Sequence, residues 1–507
     1  MSIARYLTVG ARAHGERSAV EVWGGGTRTY AQLEARTNRL AQALLGSGLC
    51  RGSRVAVWLD NCLEYLDVYL AAAKAGFIVV PINVRYTAVE AGEILAAADV
   101  EALVFCAAVQ EGVEGLSPRS DVRLLIGVGT AVPGSVDLES ILATGRDCAP
   151  PLPAPDDPLV IGYTSGTTGR AKGAVLTHRS MEHVGLTNAI VCRYRMRSTH
   201  VFGMSLSFTA TVPAHVLPHL FVGGTTVLHR RWDSEALVDC IARRGGDFLI
   251  VPSPALREVA QLLGRDPVAA DALGSVLHSA SKADPAELGA LVEVLGDRVV
   301  EGWGMTENSG GLLTASHPGD LRRDDPRSLL TSGRAVPGMG LRVLDDEGTM
   351  RPTGTGLLCA QGASLFQEYW RDPEATAASL HEGWFHTGDV GTIDPDGVVS
   401  LLDRRADLIN SGGMNVYPSE VERVLMGSGL LREVAVVAAP HPRWGQVPVA
   451  FVVPSGPLPV GELEAWADAH LAGYKQPAQI RVLGELPRNV NGKLLRRALL
   501  EQASISP

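Results

Sequence analysis

Three observations predict an α/β protein with largely parallel sheets, followed by a smaller α+β unit. Short runs of Val, Ile, Leu and Phe alternate with helical stripes through the first part of the chain. A loop dense in hydroxyls and glycines follows one such run at residues 163–173. Beyond residue 403 the pattern changes to a compact block of helices and strands about 100 residues long, a usual domain size.

Taken in order, Tyr30, Leu33, Leu40, Ala41 and Leu44 form a helical stripe closed by Gly46 and Gly48. Arg54-Val55-Ala56-Val57-Trp58-Leu59 reads as a buried strand, followed by a helix over 64–75 and a strand at Phe77-Ile78-Val79-Val80-Pro81. Leu103-Val104-Phe105 and Leu124-Leu125-Ile126-Gly127-Val128 repeat the theme. Alternating strands and helices argue for parallel sheets. The Pro-rich stretch 149–155 is a loop, and Leu159-Val160-Ile161 is the next strand. In the last block, 420–425 and 462–471 read as helices, and 434–437 and 449–453 as strands. Residues 504–507 read as a frayed tail.

The 507 residues are 46% hydrophobic and 20% charged, enough for more than one core. A formal net charge of −10 argues against a nucleic-acid partner, which a basic domain would suit. Seven scattered cysteines without a CxxC pair favour neither disulfides nor zinc, and fit a reducing cytoplasm. The first residues lack an apolar signal segment, and no apolar run approaches the ~20 residues that cross a bilayer.

The loop Tyr163-Thr164-Ser165-Gly166-Thr167-Thr168-Gly169-Arg170-Ala171-Lys172-Gly173 offers hydroxyl donors, glycine backbone that an anion can approach, and a lysine charge. It lacks the spacing of a Walker A loop. By itself it is either a polyphosphate cradle or a flexible connection, and downstream residues decide between them. Those residues are Glu301-Gly302-Trp303-Gly304-Met305-Thr306-Glu307, Trp384-Phe385-His386-Thr387-Gly388-Asp389, Asp403-Arg404-Arg405-Ala406-Asp407, Ser411-Gly412-Gly413-Met414-Asn415-Val416-Tyr417-Pro418, and Leu486-Pro487-Arg488-Asn489-Val490-Asn491-Gly492-Lys493.

In this order the motifs resemble the adenylate-forming (AMP-binding) superfamily of acyl-CoA synthetases, adenylation domains and luciferases. The resemblance runs from about Thr29 to Arg497. It implies a large N-terminal α/β domain with packed sheets, residues 1–403, and a small mobile α+β lid, residues 404–507. Thr164, Ser165, Gly166, Thr167, Thr168, Gly169 and Lys172 would hold the outer phosphates of ATP. Trp303 would lie against the adenine, Thr306 would bond the α-phosphate, and Glu307 would help hold Mg²⁺, a hard cation suited to carboxylate oxygen. Asp389 would bind the ribose, assisted by Arg404 at the hinge. Lys493 would stabilise the transition state of adenylation. Gly412 and Gly413 would admit the pantetheine of coenzyme A. Gly302, Gly304 and Phe208 would border the acid. Arg496 and Arg497 read as solvated charges.

Four positions depart from the family pattern. Ala171 stands where proline is usual, and Ala406 where a polar hinge residue is. Phe208 replaces a histidine beside the reacting carboxylate and cannot bond it. Ser279-Ala280-Ser281-Lys282-Ala283 replaces a Gly/Ala/Pro-rich loop.

The leading expectation is a cytoplasmic, free-standing ligase that activates an aryl or other hydrophobic acid with ATP and transfers the acyl group to coenzyme A. One alternative keeps the ATP chemistry but loads a carrier protein, or activates nitrite to diazotise an aryl amine. Another, of a different class, is a nucleotide-binding regulatory protein with decayed catalysis. Retention of Lys172, Glu307, Asp389, Arg404 and Lys493 argues against that last reading.

Overall fold

The computed structural model describes residues 2–116, 122–164, 172–279, 283–322, 324–325, 327–404, 407–411, 414–489 and 494–503. The chain divides into two compact units. One comprises residues 1–341, 360–385 and 397–399, the other residues 342–359, 386–396 and 400–507.

The first unit is built on two large sheets. The seven-stranded sheet runs in the order Val136–Asp137, Leu124–Val128, Ala102–Cys106, Arg54–Trp58, Ile78–Pro81, Pro158–Thr164 and Lys172–Thr177. All its pairings are parallel except the last, an antiparallel hairpin. The nine-stranded sheet is parallel through its centre, from Ser18–Val22 to Val299–Gly304, and antiparallel at both ends. Its central strands Thr225–Leu228, Phe248–Val251 and Ser275–His278 are buried at every position. Strands covered on both faces bury every position, so their burial lacks the alternation of a half-exposed strand.

The helices obey the same logic. Thr29 caps Tyr30–Gly46 in a reciprocal box with Gln32. Leu63–Ala75 buries nearly its whole circumference and ends at Gly76 in the left-handed region. Its Lys74 is fully buried, donating to Glu34 Oε2 at 2.7 Å and Asn38 Oδ1 at 2.6 Å, so the charge is paired rather than stranded.

In the second unit, Leu431–His441 and Gly445–Pro454 form a long antiparallel pair. Val436, Ala450 and Val452 face a core closed by the helices Pro418–Met426 and Val460–His470. Ala435, Val437, Val449 and Phe451 face the opposite core, closed by Arg496–Gln502. The side-chain period of two serves both cores at once. A further six-stranded sheet is formed by strands between residues 339 and 404, a stretch whose residues are divided between the two units. Among the described residues, no helix is long and apolar enough to cross a membrane.

Arg496 corrects the expectation of a solvated charge. Its Nη2 lies 2.8 Å from Glu422 Oε1, and Nη1 donates to the Val436 carbonyl at 2.6 Å. A largely buried carboxylate needs a cation, and Arg496 supplies it. Arg497 is exposed and pairs with Glu501, one turn along the same helix.

Five buried imidazoles should make the first unit acid-sensitive. Desolvation lowers His178 and His219 to about 4, His215 to about 3, His200 well below its ordinary value, and His229 below it. An unfolded chain protonates each near pH 6.5, whereas the folded chain does so only at lower pH, so acid favours unfolding across that window. Asp67 and Glu301, raised by burial, act in the opposite sense but are fewer. The melting temperature is expected to fall as pH drops from 7 to 5, by calorimetry, and replacing His219 with Phe should flatten the slope. A melting temperature that rises with acidification would refute this.

Candidate active site

The hairpin that carries the phosphate-loop motif is set by register. Thr164 pairs with Lys172 and Tyr163 with Gly173 in the antiparallel pair at the edge of the seven-stranded sheet. Ser165, Gly166, Thr167, Thr168 and Gly169 lie outside the described residues, as do Ala171 and the side chain of Thr164. Lys172 is the first residue of the return strand. Its Nζ stands 5.1 Å from the centroid of the Tyr369 ring, within cation–π range.

Tyr369 joins two of the expected site residues and was not singled out by the motifs. Its hydroxyl donates to Glu307 Oε1 at 2.8 Å. The segment around it is laid along the strand Lys172–Thr177: the Gln367 N–H donates to Val175 O, the Val175 N–H to Glu368 O, and the Trp370 N–H to Gly173 O. The Phe366 N–H donates to the Glu307 carbonyl at 2.7 Å. One tyrosine therefore touches both the lysine and the glutamate of the sequence motifs. The only sequence signal was the aromatic pair Tyr369-Trp370 ahead of Asp372-Pro373, the start of the helix Pro373–Ser379.

Trp303 lies on Val299–Gly304, in register with Thr314, and its N–H donates to Thr314 Oγ1 at 3.3 Å. Trp303 is buried, 6% exposed. Gly302 and Gly304 flank it, opposite Ala315 and Leu312. Thr306 and Glu307 begin a short 3₁₀ turn, Thr306–Asn308, that touches both strands of the phosphate-loop hairpin. A Cβ on Gly162 would sit 2.7 Å from Thr209 Oγ1 and 3.0 Å from Thr306 Cγ2, so three sequence-distant segments converge there. Asn308 holds the turn by donating to Leu312 O at 3.0 Å, and Ser309 Oγ donates to Ser364 O at 2.9 Å. Phe208 is half-buried and precedes Thr209 in this convergence.

The second unit holds Asp389, buried on Trp384–Ile393. Its N–H donates to Thr387 Oγ1 at 3.1 Å, while Thr387 donates to Leu358 O at 2.8 Å. Arg404 closes the strand Val399–Arg404; its side chain lies outside the described residues, as do Ala406, Gly412, Gly413 and Lys493. Lys282 of the first unit is likewise outside them.

The donor set suits Mg²⁺ carried with a polyphosphate. Among the described residues no group of three or more His, Cys, Asp or Glu side chains can hold a metal. Magnesium commonly takes one or two carboxylates plus substrate phosphates, and Glu307 offers one carboxylate.

Comparison with known proteins decides the family. Residues 7–370 match the AMP-binding enzyme model, and residues 420–493 match the AMP-binding enzyme C-terminal domain. The chain belongs to the AMP-binding enzyme family. It is 32% identical over 488 residues to the long-chain-fatty-acid–CoA ligase FadD13 of Mycobacterium tuberculosis, covering 94% of this chain and 93% of that one. It is also 32% identical over 490 residues to a feruloyl-CoA synthase of Amycolatopsis, covering 96% of each. The o-succinylbenzoate CoA synthetase MenE of Bacillus subtilis, solved with its acyl-adenylate, superposes with a TM-score of 0.85 at 26% identity over 97% of each chain. The α/β architecture expected from the sequence is thus that of an AMP-binding enzyme.

In this AMP-binding enzyme, Tyr369→Phe is expected to lower kcat/KM for ATP about tenfold, the cost of losing one bond to an ionised group. Pyrophosphate release against ATP concentration checks it, and an unchanged value refutes the link between Tyr369 and Glu307.

Proposed function

We propose that this protein is an AMP-forming acid–thiol ligase that activates an aryl or other hydrophobic carboxylic acid and passes the acyl group to coenzyme A. The observation that carries the reading is the gathering of Lys172 and Glu307 about Tyr369, with Thr306 and the segment after Phe208 converging on Gly162. The family's named relatives, ligases of fatty and feruloyl acids, support it.

In the first half-reaction a carboxylate oxygen attacks the α-phosphorus of ATP, forming the acyl–O–P bond and expelling pyrophosphate. Residues 164–169 and Lys172 bind the outer phosphates, Thr306 donates to the α-phosphate, and Glu307 would help hold the accompanying cation. Magnesium, when bound, neutralises phosphate charge. Trp303 borders the adenine, Asp389 accepts from the ribose hydroxyls with Arg404 alongside, and Gly302, Gly304 and Phe208 bound the acid. Lys493 offsets the charge that builds at the reacting phosphoryl oxygens. In the second half-reaction the thiol sulfur attacks the acyl carbonyl, the acyl–O–P link breaks as AMP leaves with the bonding pair, and the thiol proton passes to solvent, with Gly412 and Gly413 admitting the pantetheine arm. Residues 1–403 serve as the ATP and acid platform, and 404–507 as the mobile part that presents Lys493 and then the glycine face.

The test is pyrophosphate release with a panel of acids, with and without coenzyme A. The expected result is acid-dependent release coupled to loss of free thiol. Turnover with a carrier protein but not coenzyme A would reassign the acceptor. Nitrite-dependent turnover with aminoaryl acids, or none at all, would overturn the reading.

A further inference from the structure

Outside the residues assigned above, three polar side chains meet at the ends of three neighbouring parallel strands. Val251, His278 and Glu301 stand in register on Phe248–Val251, Ser275–His278 and Val299–Gly304, and Ser253 lies two residues beyond the first of these. His278 Nδ1 is 2.6 Å from Glu301 Oε2, and His278 Nε2 is 2.8 Å from Ser253 Oγ. The imidazole is fully buried and Glu301 nearly so. Glu301 is also held through its backbone, which exchanges bonds with Ser316: its N–H donates to Ser316 Oγ at 2.9 Å, and its carbonyl accepts from the Ser316 N–H at 2.8 Å. The next residues along the chain are Gly302 to Glu307.

Serine, imidazole and carboxylate in this order match the geometry of a nucleophilic triad. A nucleophile on a strand-to-helix turn draws its oxyanion donor from the backbone N–H of the following residue. Here that residue is Pro254, which has no N–H, and Pro252 precedes the serine. The arrangement can hold atoms in place but lacks that donor for an acyl oxyanion. In the neutral imidazole, Nδ1–H donates to Glu301 and Nε2 accepts from the Ser253 hydroxyl, so the carboxylate selects the tautomer that can receive the serine.

We propose that Ser253, His278 and Glu301 form a positioning relay for nucleotide binding: the imidazole ties three strand ends together and thereby sets where Trp303, Thr306 and Glu307 stand when ATP enters. The proposal rests on the assignment of residues 302–307 to the nucleotide under the proposed function. Burial raises the Glu301 carboxyl while His278 opposes the shift, so the two groups support each other in the core.

The test compares Ser253→Ala, His278→Ala and the double variant His278→Leu with Glu301→Leu. The double variant replaces both buried polar partners by apolar groups, which cores tolerate better than one stranded charge. Calorimetric ATP affinity, KM for ATP, KM for the acid and melting temperature are read for each. ATP affinity is expected to weaken about threefold in Ser253→Ala and about tenfold in the double variant, with KM for the acid within about twofold of native. His278→Ala should melt lowest, and the double variant should recover melting temperature without recovering ATP affinity. A purely structural role would change the active fraction and melting temperature but leave both Michaelis constants alone, and that result overturns the relay. Labelling of Ser253 by a fluorophosphonate would also overturn it, in favour of a nucleophile. If native protein binds no ATP, the proposed function itself fails; if native binds and the variants match it, only the relay does.

Discussion

Replacing Lys493 with alanine is expected to slow acyl-adenylate formation about 10³-fold while ATP affinity stays within about twofold of native. A cation aimed at charge that develops only in the transition state contributes little to ground-state binding, so its loss falls on the chemical step. The two half-reactions separate this role from a general defect. Given synthetic acyl-adenylate, the variant should form the thioester with coenzyme A at close to the native rate, because the proposed mechanism assigns that step to Gly412 and Gly413 and not to Lys493. Single-turnover measurement of adenylate checks the first half, and quantified thioester checks the second. Native adenylation in the variant would remove Lys493 from the mechanism. Equal loss in both halves would make it a structural residue.

Gly310→Ala should cost about 3 kcal/mol of stability and lower adenylation about 10²-fold. Gly310 has φ +72°, in the left-handed region, and a Cβ there would fall 2.2 Å from Ala210 Cα. The strain and the collision act together, and neither yields to a side-chain rotation because the partner is backbone. The turn Thr306–Asn308 lies just upstream, pinned through Asn308 and Ser309, so the loop can move away from Ala210 only by displacing Thr306 and Glu307. Ala210→Gly should not rescue the variant, since it removes the Cβ and leaves the Cα. Chemical denaturation reads the stability and pyrophosphate release reads the activity. Native values of both would show that the loop accommodates a side chain and is not held as described.

How far the sequence could be read depended on whether a residue's role was local. Strands such as Leu124–Val128 and helices such as Leu63–Ala75 were legible to within a residue or two, because burial of an apolar run follows from the run itself. Trp303, Thr306, Glu307 and Lys172 are singled out by ordered motifs, and the proposed function rests on them. Tyr369 is not singled out: its bond to Glu307 depends on residues 366–370 being laid along Lys172–Thr177, a pairing between segments far apart in the chain. Arg496 was misread for the same reason, since a terminal arginine looks solvated until the buried Glu422 is seen beside it.

The sequence by itself determined the α/β class and the family, because those follow from local hydrophobic runs and from the order of short motifs along one chain. Only the tertiary structure decided which residues share a partner. Tyr369 between lysine and glutamate, Gly310 against Ala210, and His278 between Ser253 and Glu301 all arise where distant strand ends and loops close on each other within the first unit. Such contacts are set by sheet register and backbone approach, to tenths of an ångström, and no spacing along the chain encodes them.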